Sequence, residues 1–162
     1  MFISYLNTPF GLATIRASDI GITELSFSNE KEQEEDKPNE HIHSCKEELK
    51  AYFEGKLSLF ETPIDMSSGP PFHQKVWKEL LQIPFGETRS YLDIAIKLGD
   101  RNAVRAVGTA NGKNPIAIVV PCHRVIGSNG SLTGYAYGLD MKQRLLMIEN
   151  PDVYGIQQQL FT

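Results

Sequence analysis

Apolar and polar positions alternate along the first part of the chain and then switch to a helical spacing. Three segments, Phe2–Leu6, Gly11–Ala17 and Ile22–Phe27, have the alternation of half-buried strands. Asn7-Thr8-Pro9 and Asp19-Ile20-Gly21 separate them, which predicts an antiparallel meander. The acid-rich run from Glu30 to Asp36 reads as a solvated loop. A helix is expected from about Ser44 to Phe53, with Leu49, Tyr52 and Phe53 on its packing face. Met66-Ser67-Ser68-Gly69-Pro70-Pro71 stops any regular element and sets a boundary between domains 1–70 and 71–162. Beyond it Phe72, Val76 and Leu80 recur at every fourth position, with Trp77 and Leu81 beside them. Further helices are expected at Tyr91–Leu98, from near Asn102 to about Gly112, and at about Leu139–Glu149, the last closed by Asn150-Pro151. The two middle helices, joined across Leu98-Gly99-Asp100, form a candidate helix-turn-helix.

Composition narrows the setting. The chain has 162 residues, 41% of them hydrophobic and 22% charged, as in ordinary globular proteins. No apolar run approaches the ~20 residues that span a bilayer, so no membrane partner is expected. The N-terminus lacks the basic and apolar regions of a signal peptide. Two cysteines far apart make a poor disulfide framework, which points to a reducing, cytoplasmic setting with free thiols. The net charge of −4 is unevenly spread. Residues 1–71 carry 6 basic and 13 acidic side chains, net −7; residues 72–162 carry 10 and 7, net +3. The second half can therefore approach phosphates.

One cysteine stands out by its place. Cys122 follows the apolar run Ile116–Val120 and Pro121, and precedes His123. Either it fills a gap in the core or it is a nucleophile at the end of a rigid element. A nucleophilic thiol reacts as thiolate and needs a base, usually imidazole. On an extended strand, neighbours such as Cys122 and His123 face opposite ways. Their cooperation then requires a turn or a bridging water. Glu149, near the end of an apolar helix, is a candidate to orient the imidazole. The helix Ala103–Gly112 is built of small residues, so its backbone can come close to another surface, and Arg105 is its one long side chain.

Val120-Pro121-Cys122-His123-Arg124-Val125 resembles the active-site signature of the O6-alkylguanine-DNA alkyltransferases, the methylated-DNA–protein-cysteine methyltransferases. Ile83 to Tyr91, Arg105-Ala106-Val107-Gly108, Asn114-Pro115, Gly134-Tyr135 and Leu145-Leu146 with Glu149 fall at that family's spacing. The resemblance covers roughly residues 71–150. It implies an α+β fold: a small ribonuclease-H-like N-terminal domain with an antiparallel sheet, and a helical, winged-helix-like C-terminal domain containing the helix-turn-helix. It also implies an enzyme that acts once, moving a methyl or larger alkyl group from O6-alkylguanine in DNA to its own cysteine. O4-alkylthymine is left open as a second lesion. Cys122 matches the acceptor, His123 the base working through a water, and Glu149 the carboxylate that orients it. Tyr91 matches the donor toward guanine N3. Asn114 matches the asparagine tying the recognition helix to the active-site strand. Arg105 matches the finger that replaces the flipped nucleotide, with Ala106, Gly108 and Thr109 on the same DNA-facing helix. Tyr135 and the backbone of Ala136 match one wall of the base pocket, and the carbonyls of Cys122 and Val125 match acceptors for the guanine amino group. The implied partner is double-stranded DNA, held in its minor groove without sequence preference by a monomer. No cofactor is implied, and there is no Gly-rich phosphate loop.

Three features depart from the family pattern, the slightest being Ala136, which lacks a hydroxyl that some members have although the expected contact is through its backbone N–H. His41, His43 and Cys45 form an H-x-H-x-C cluster where some members bind zinc, but the spacing is not that of a zinc site, so no metal is expected. Tyr137 is bulky where members tolerant of large adducts carry glycine. Two other functions fit some of the residues: a thiol hydrolase built on Cys122, His123 and Glu149, and a non-catalytic sensor of alkylated DNA on the same scaffold.

Overall fold

The computed structural model describes residues 1–31 and 34–155. Of the acidic run, Glu32 and Gln33 lie outside the described residues. The chain forms two compact units, Met1–Ser68 with Pro115–Val119, and Gly69–Asn114 with Val120–Thr162. The five residues Pro115–Val119 group with the N-terminal sheet: Leu25 N–H donates to Pro115 O at 2.9 Å and Ala117 N–H to Leu25 O at 3.0 Å.

In the first unit β1 (Phe2–Thr8), β2 (Gly11–Ala17) and β3 (Ile22–Ser28) form an antiparallel sheet in the order β1-β2-β3. The strands are those the alternation predicts, with β1 longer by two residues and β3 by one. Thr8 pairs with Gly11 across a two-residue turn, where Thr8 Oγ1 accepts from Phe10 N–H and donates to Gly11 O. Ala13, Ile15, Ala17, Ile22 and Leu25 are buried together with Ile42, Cys45, Leu49 and Tyr52 of α1 (Glu40–Phe53), which packs on all three strands. This helix starts four residues earlier than its apolar pattern suggests, because Asn39 caps it: Asn39 Oδ1 accepts from Ile42 N–H at 3.1 Å. The H-x-H-x-C cluster lies in α1 and its side chains diverge. His41 Nε2 lies 3.1 Å from Asp19 O, His43 is exposed, and Cys45 sits in the core, its thiol pushed up to about 12 by burial.

In the second unit α2 (Pro71–Leu80), α3 (Tyr91–Lys97) and α4 (Val104–Gly112) pack on one another. Pro71 at the first position of α2 suits a site whose N–H would be unpaired anyway. Gly69 is more than a linker residue. A Cβ there would stand 2.3 Å from the Trp77 ring, and Trp77 Nε1–H donates to Ala110 O at 2.8 Å, anchoring α4. Ser90 and Asp93 cap α3 reciprocally. The start of the fourth helix is tighter than expected. Asp100 accepts from Asn102 N–H and leads into a 3₁₀ turn, Arg101–Ala103, before α4 begins. β4 (Arg89–Ser90) and β5 (Val125–Ile126) pair in parallel, and α5 (Leu139–Glu149) packs against the turn Cys122–Arg124. Among the described residues no helix is long and apolar enough to cross a membrane.

Candidate active site

Cys122 does not end a strand. The apolar run before it bends: Ile118 has φ 70°, a region that a β-branched residue rarely adopts, and Val119 N–H turns back onto Ala117 O. Pro121 follows, and Cys122, His123 and Arg124 make one 3₁₀ turn. Asn114, matched to a tie on an active-site strand, therefore ties a turn. Its Nδ2 donates to Val120 O at 2.7 Å and its side chain also faces the Cys122 sulfur. The turn fans consecutive side chains apart by about a third of a revolution, so His123 goes inward without opposing Cys122.

His123 is fully buried. Its Nε2 lies 2.6 Å from Glu149 Oε2, while its Nδ1 is buried without a hydrogen-bond partner among the described residues. The imidazole and the thiol are not directly bonded. Glu149 also receives Arg124, with Nε at 2.7 Å from Oε1 and an Nη2 donor at 3.2 Å from Oε2. Arg124 Nη1 donates to Ile83 O at 2.7 Å. Burial alone would raise the Glu149 pKa. His123 and Arg124 overcome that and hold it at about 2. The carboxylate is thus ionised and committed to two neighbours of the cysteine.

The Cys122 thiol is buried, and burial raises its pKa; Asn114, the Lys142 ammonium, its own backbone and Tyr135 offset part of that rise. The resting group is a protonated thiol that needs help to ionise. Lys142 is one source. Its side chain is fully buried on α5 and donates to Val125 O at 2.6 Å, Thr133 O at 3.0 Å and Gly134 O at 3.2 Å. Burial pulls its pKa down to about 8, against the effect of Cys122. The ammonium is still the dominant form at neutral pH.

Tyr91 is half-buried, and its hydroxyl donates to Thr133 O at 3.0 Å, so that carbonyl receives both Tyr91 and Lys142. Burial, the first cause, raises the Tyr91 pKa, which keeps its proton available. Tyr135 stands beside the sulfur and its ring meets that of Tyr137 edge-on, 5.8 Å between centroids. Ala136 between them is exposed. On α4, Arg105, Ala106 and Thr109 are exposed and Gly108 is partly so, while Val107, Ala110 and Asn111 turn inward. The structure therefore gathers Cys122, His123, Glu149, Asn114, Val125 and Tyr135 within one unit, and sets Arg105 with its small neighbours on an open face of α4.

Three residues that the sequence reading did not single out belong to the same cluster: Arg124, Lys142 and Asn111, whose Nδ2 donates to Cys122 O at 3.3 Å. A spacing signal exists for two of them. Lys142 shares with Leu145, Leu146 and Glu149 the i, i+3, i+4, i+7 stripe of α5, and Asn111 continues the stripe of Val107 and Ala110 toward Asn114.

The sequence model of the 6-O-methylguanine DNA methyltransferase DNA binding domain matches residues 71–151, and that of the family's ribonuclease-like domain matches residues 1–66. A methylated-DNA–protein-cysteine methyltransferase of Mycolicibacterium paratuberculosis is 46% identical over 89% of both chains. The structure of Mycobacterium tuberculosis OGT in complex with DNA superposes with a TM-score of 0.84 at 42% identity, covering 93% of this chain and 94% of that one. The methylated-DNA–protein-cysteine methyltransferase of Methanosarcina barkeri is 44% identical over 92% of this chain and 97% of its own. The chain belongs to the 6-O-methylguanine DNA methyltransferase family, the methylated-DNA–protein-cysteine methyltransferases.

Proposed function

We propose that this protein repairs DNA by a single, irreversible transfer of the alkyl group of O6-alkylguanine to Cys122. The observation that carries this reading is the buried Cys122 thiol on the same turn as His123, whose imidazole is paired with Glu149 of α5. The O6 atom is inside the duplex, so the base must be extruded into a pocket. Arg105, exposed on the small-residue face of α4, fills the gap in the stack, and Ala106, Gly108 and Thr109 let that face enter the minor groove. The known DNA complex of the Mycobacterium tuberculosis relative supports a DNA partner. Binding rests on phosphates and tolerates any sequence, and the monomer suffices.

Within the pocket the carbonyls of Cys122 and Val125 accept from the guanine amino group. His123 takes the thiol proton through a bridging water, using the nitrogen that Glu149 leaves unengaged. Sulfur attacks the alkyl carbon in line, a C–S bond forms and the C–O6 bond breaks. Guanine leaves as a neutral base when Tyr91 donates toward N3, and for this the Tyr91 hydroxyl must exchange Thr133 O for the base. The thioether has no route back to thiol, so each molecule reacts once.

Intact and peptide mass after mixing with a duplex bearing one O6-methylguanine tests this directly. One methyl group gained on Cys122, saturating at one per protein, is the expected result. Tight binding to the lesion with no mass gain would replace the reading with that of a non-catalytic sensor. Continued turnover of an ester substrate would replace it with a hydrolase.

Tyr137, braced edge-on against Tyr135, narrows the pocket toward small adducts. Tyr137→Gly is expected to raise the ratio of O6-benzylguanine to O6-methylguanine transfer rates roughly tenfold. Benzyl transfer as fast as methyl transfer in the unsubstituted protein would remove Tyr137 as the restriction.

A further inference from the structure

We infer that Asn111 is a positioning residue for the acceptor cysteine, joining the DNA-facing helix to the peptide of Cys122. It lies on α4, and at 5% exposure it is one of the few buried polar side chains of the second unit. Its Nδ2 donates to Cys122 O at 3.3 Å. Three residues on, Asn114 Nδ2 donates to Val120 O at 2.7 Å. Asn114 stands just past the end of α4, so the segment Val120–Cys122 is gripped at both of its outer carbonyls, one by the last turn of the helix and the other by the residue that follows its cap. The grip at Cys122 holds the plane of its peptide, and with it the direction in which the side chain leaves the backbone. The same helix turns Arg105, Ala106 and Thr109 outward on its other face. The seating of α4 against a duplex is thereby linked to the position of the sulfur through the width of one helix.

A second feature distinguishes this amide from an ordinary packing group. Asn111 Oδ1 is buried and has no hydrogen-bond partner among the described residues. A side chain retained only for packing would do better as an apolar residue of similar size, which leaves no acceptor unsatisfied. The donor half of the amide is the half in use, and it is spent on the acceptor residue itself.

The inference rests on the alkyl-transfer reading, and the test separates the two. Asn111→Leu fills the site without a donor, and Asn111→Ala empties it without a donor. For each, single-turnover transfer is measured at saturating O6-methylguanine duplex, together with duplex affinity and the rate of Cys122 alkylation by iodoacetamide. Small misplacements of a reacting atom lower rates by one to two powers of ten, so both variants are expected to transfer roughly tenfold more slowly or worse at saturation. Duplex affinity and iodoacetamide alkylation, which does not depend on attack direction, are expected to stay within about twofold of the unsubstituted protein. Both variants transferring at the unsubstituted rate would overturn the inference. A loss in only one of them would also overturn it, since packing rather than the missing amide would then be the cause. If the unsubstituted protein transfers nothing, the alkyl-transfer reading fails and takes this inference with it. If it transfers and the variants match it, only this inference fails.

Discussion

Glu149→Gln should slow alkyl transfer by roughly 100- to 1,000-fold, the range set by an oriented general base, and should also destabilise the protein. Glu149 is the point where the site and the fold share one charge. Its Oε2 holds His123 Nε2 at 2.6 Å, and Arg124 reaches both of its oxygens. A glutamine keeps the shape and one acceptor but removes the charge. Arg124, buried and bonded also to Ile83 O, is then left without its counter-ion. Breaking one side of a buried pair in this way costs about 3 kcal/mol or more. Linkage gives a similar size. The carboxyl titrates at about 2 in the folded protein against an ordinary 4.5, so its ionisation contributes about 3 kcal/mol. The sign follows from a lowered folded value: the contribution is fully present above about pH 4.5 and is lost as pH falls toward about 2. Urea unfolding from pH 7 down to pH 3 should therefore show the two proteins converging in acid. A constant gap across that range would show that the charge of Glu149 is not what the fold uses. Unchanged transfer by the folded variant would remove Glu149 from the chemistry.

The parts of this arrangement that the sequence displays are those with a local period. Strand alternation places β1, β2 and β3, and the apolar stripe places α5 with its closing residue, because burial of one face is written into spacing. Helix starts are displayed less well. Asn39 and Asp100 act through single side-chain bonds that carry no periodic signal, so α1 begins earlier and α4 later than its apolar pattern implies. The turn at Cys122 is hidden for another reason. Ile116 to Val120 has the composition of a buried strand, yet Ile118 takes φ 70° and Pro121 precedes a 3₁₀ turn. Pairing of Leu25 with Ile116, remote in sequence, decides that path, and no neighbour within a few residues announces it. Cys122, His123, Glu149 and Arg105 are legible from their places in the chain, and the other candidate residues only from the family signature. Cys122, His123 and Glu149 have reactive or ionisable side chains and are noticed. Lys142 and Asn111 hold carbonyls and are passed over, although each stands as a polar residue on an apolar stripe. The family signature matches Tyr91 to a partner on the guanine base. The partner it has at rest, Thr133 O, is 42 residues away and is a backbone atom, invisible to any side-chain pattern.

Lys142→Met should separate activity from stability more cleanly than any other substitution in the site. The ammonium joins two backbone segments beside Cys122, Val125 O on one side and Thr133 O and Gly134 O on the other, and its charge favours the Cys122 thiolate. Methionine has a similar length, no donor and no charge. The thiol should become harder to ionise, and the walls should lose their common anchor. Transfer from O6-methylguanine duplex is expected to fall roughly 100-fold, the loss seen when one preorganised donor to a developing charge is removed. The stability effect has opposing parts. Val125 O loses a buried donor, which destabilises by about 1–3 kcal/mol. Against this, the folded lysine titrates at about 8 instead of 10.5, so burying its charge is unfavourable. Because the folded value is lowered, the unfolded chain holds more protons between those values; stability rises with pH across that window, and the unfavourable effect is fully present below about pH 8. Methionine removes it. The melting temperature at pH 7 should consequently stay near that of the unsubstituted protein while transfer collapses. Iodoacetamide alkylation of Cys122 followed against pH supplies the electrostatic readout. Its midpoint should move upward in the variant, since a positive charge beside the sulfur has gone. An unmoved midpoint with slowed transfer would mean that Lys142 acts only by holding the carbonyls. Transfer at the unsubstituted rate would mean that neither the charge nor the clamp matters, and that the pocket is held open by Tyr91, Asn114 and the turn alone.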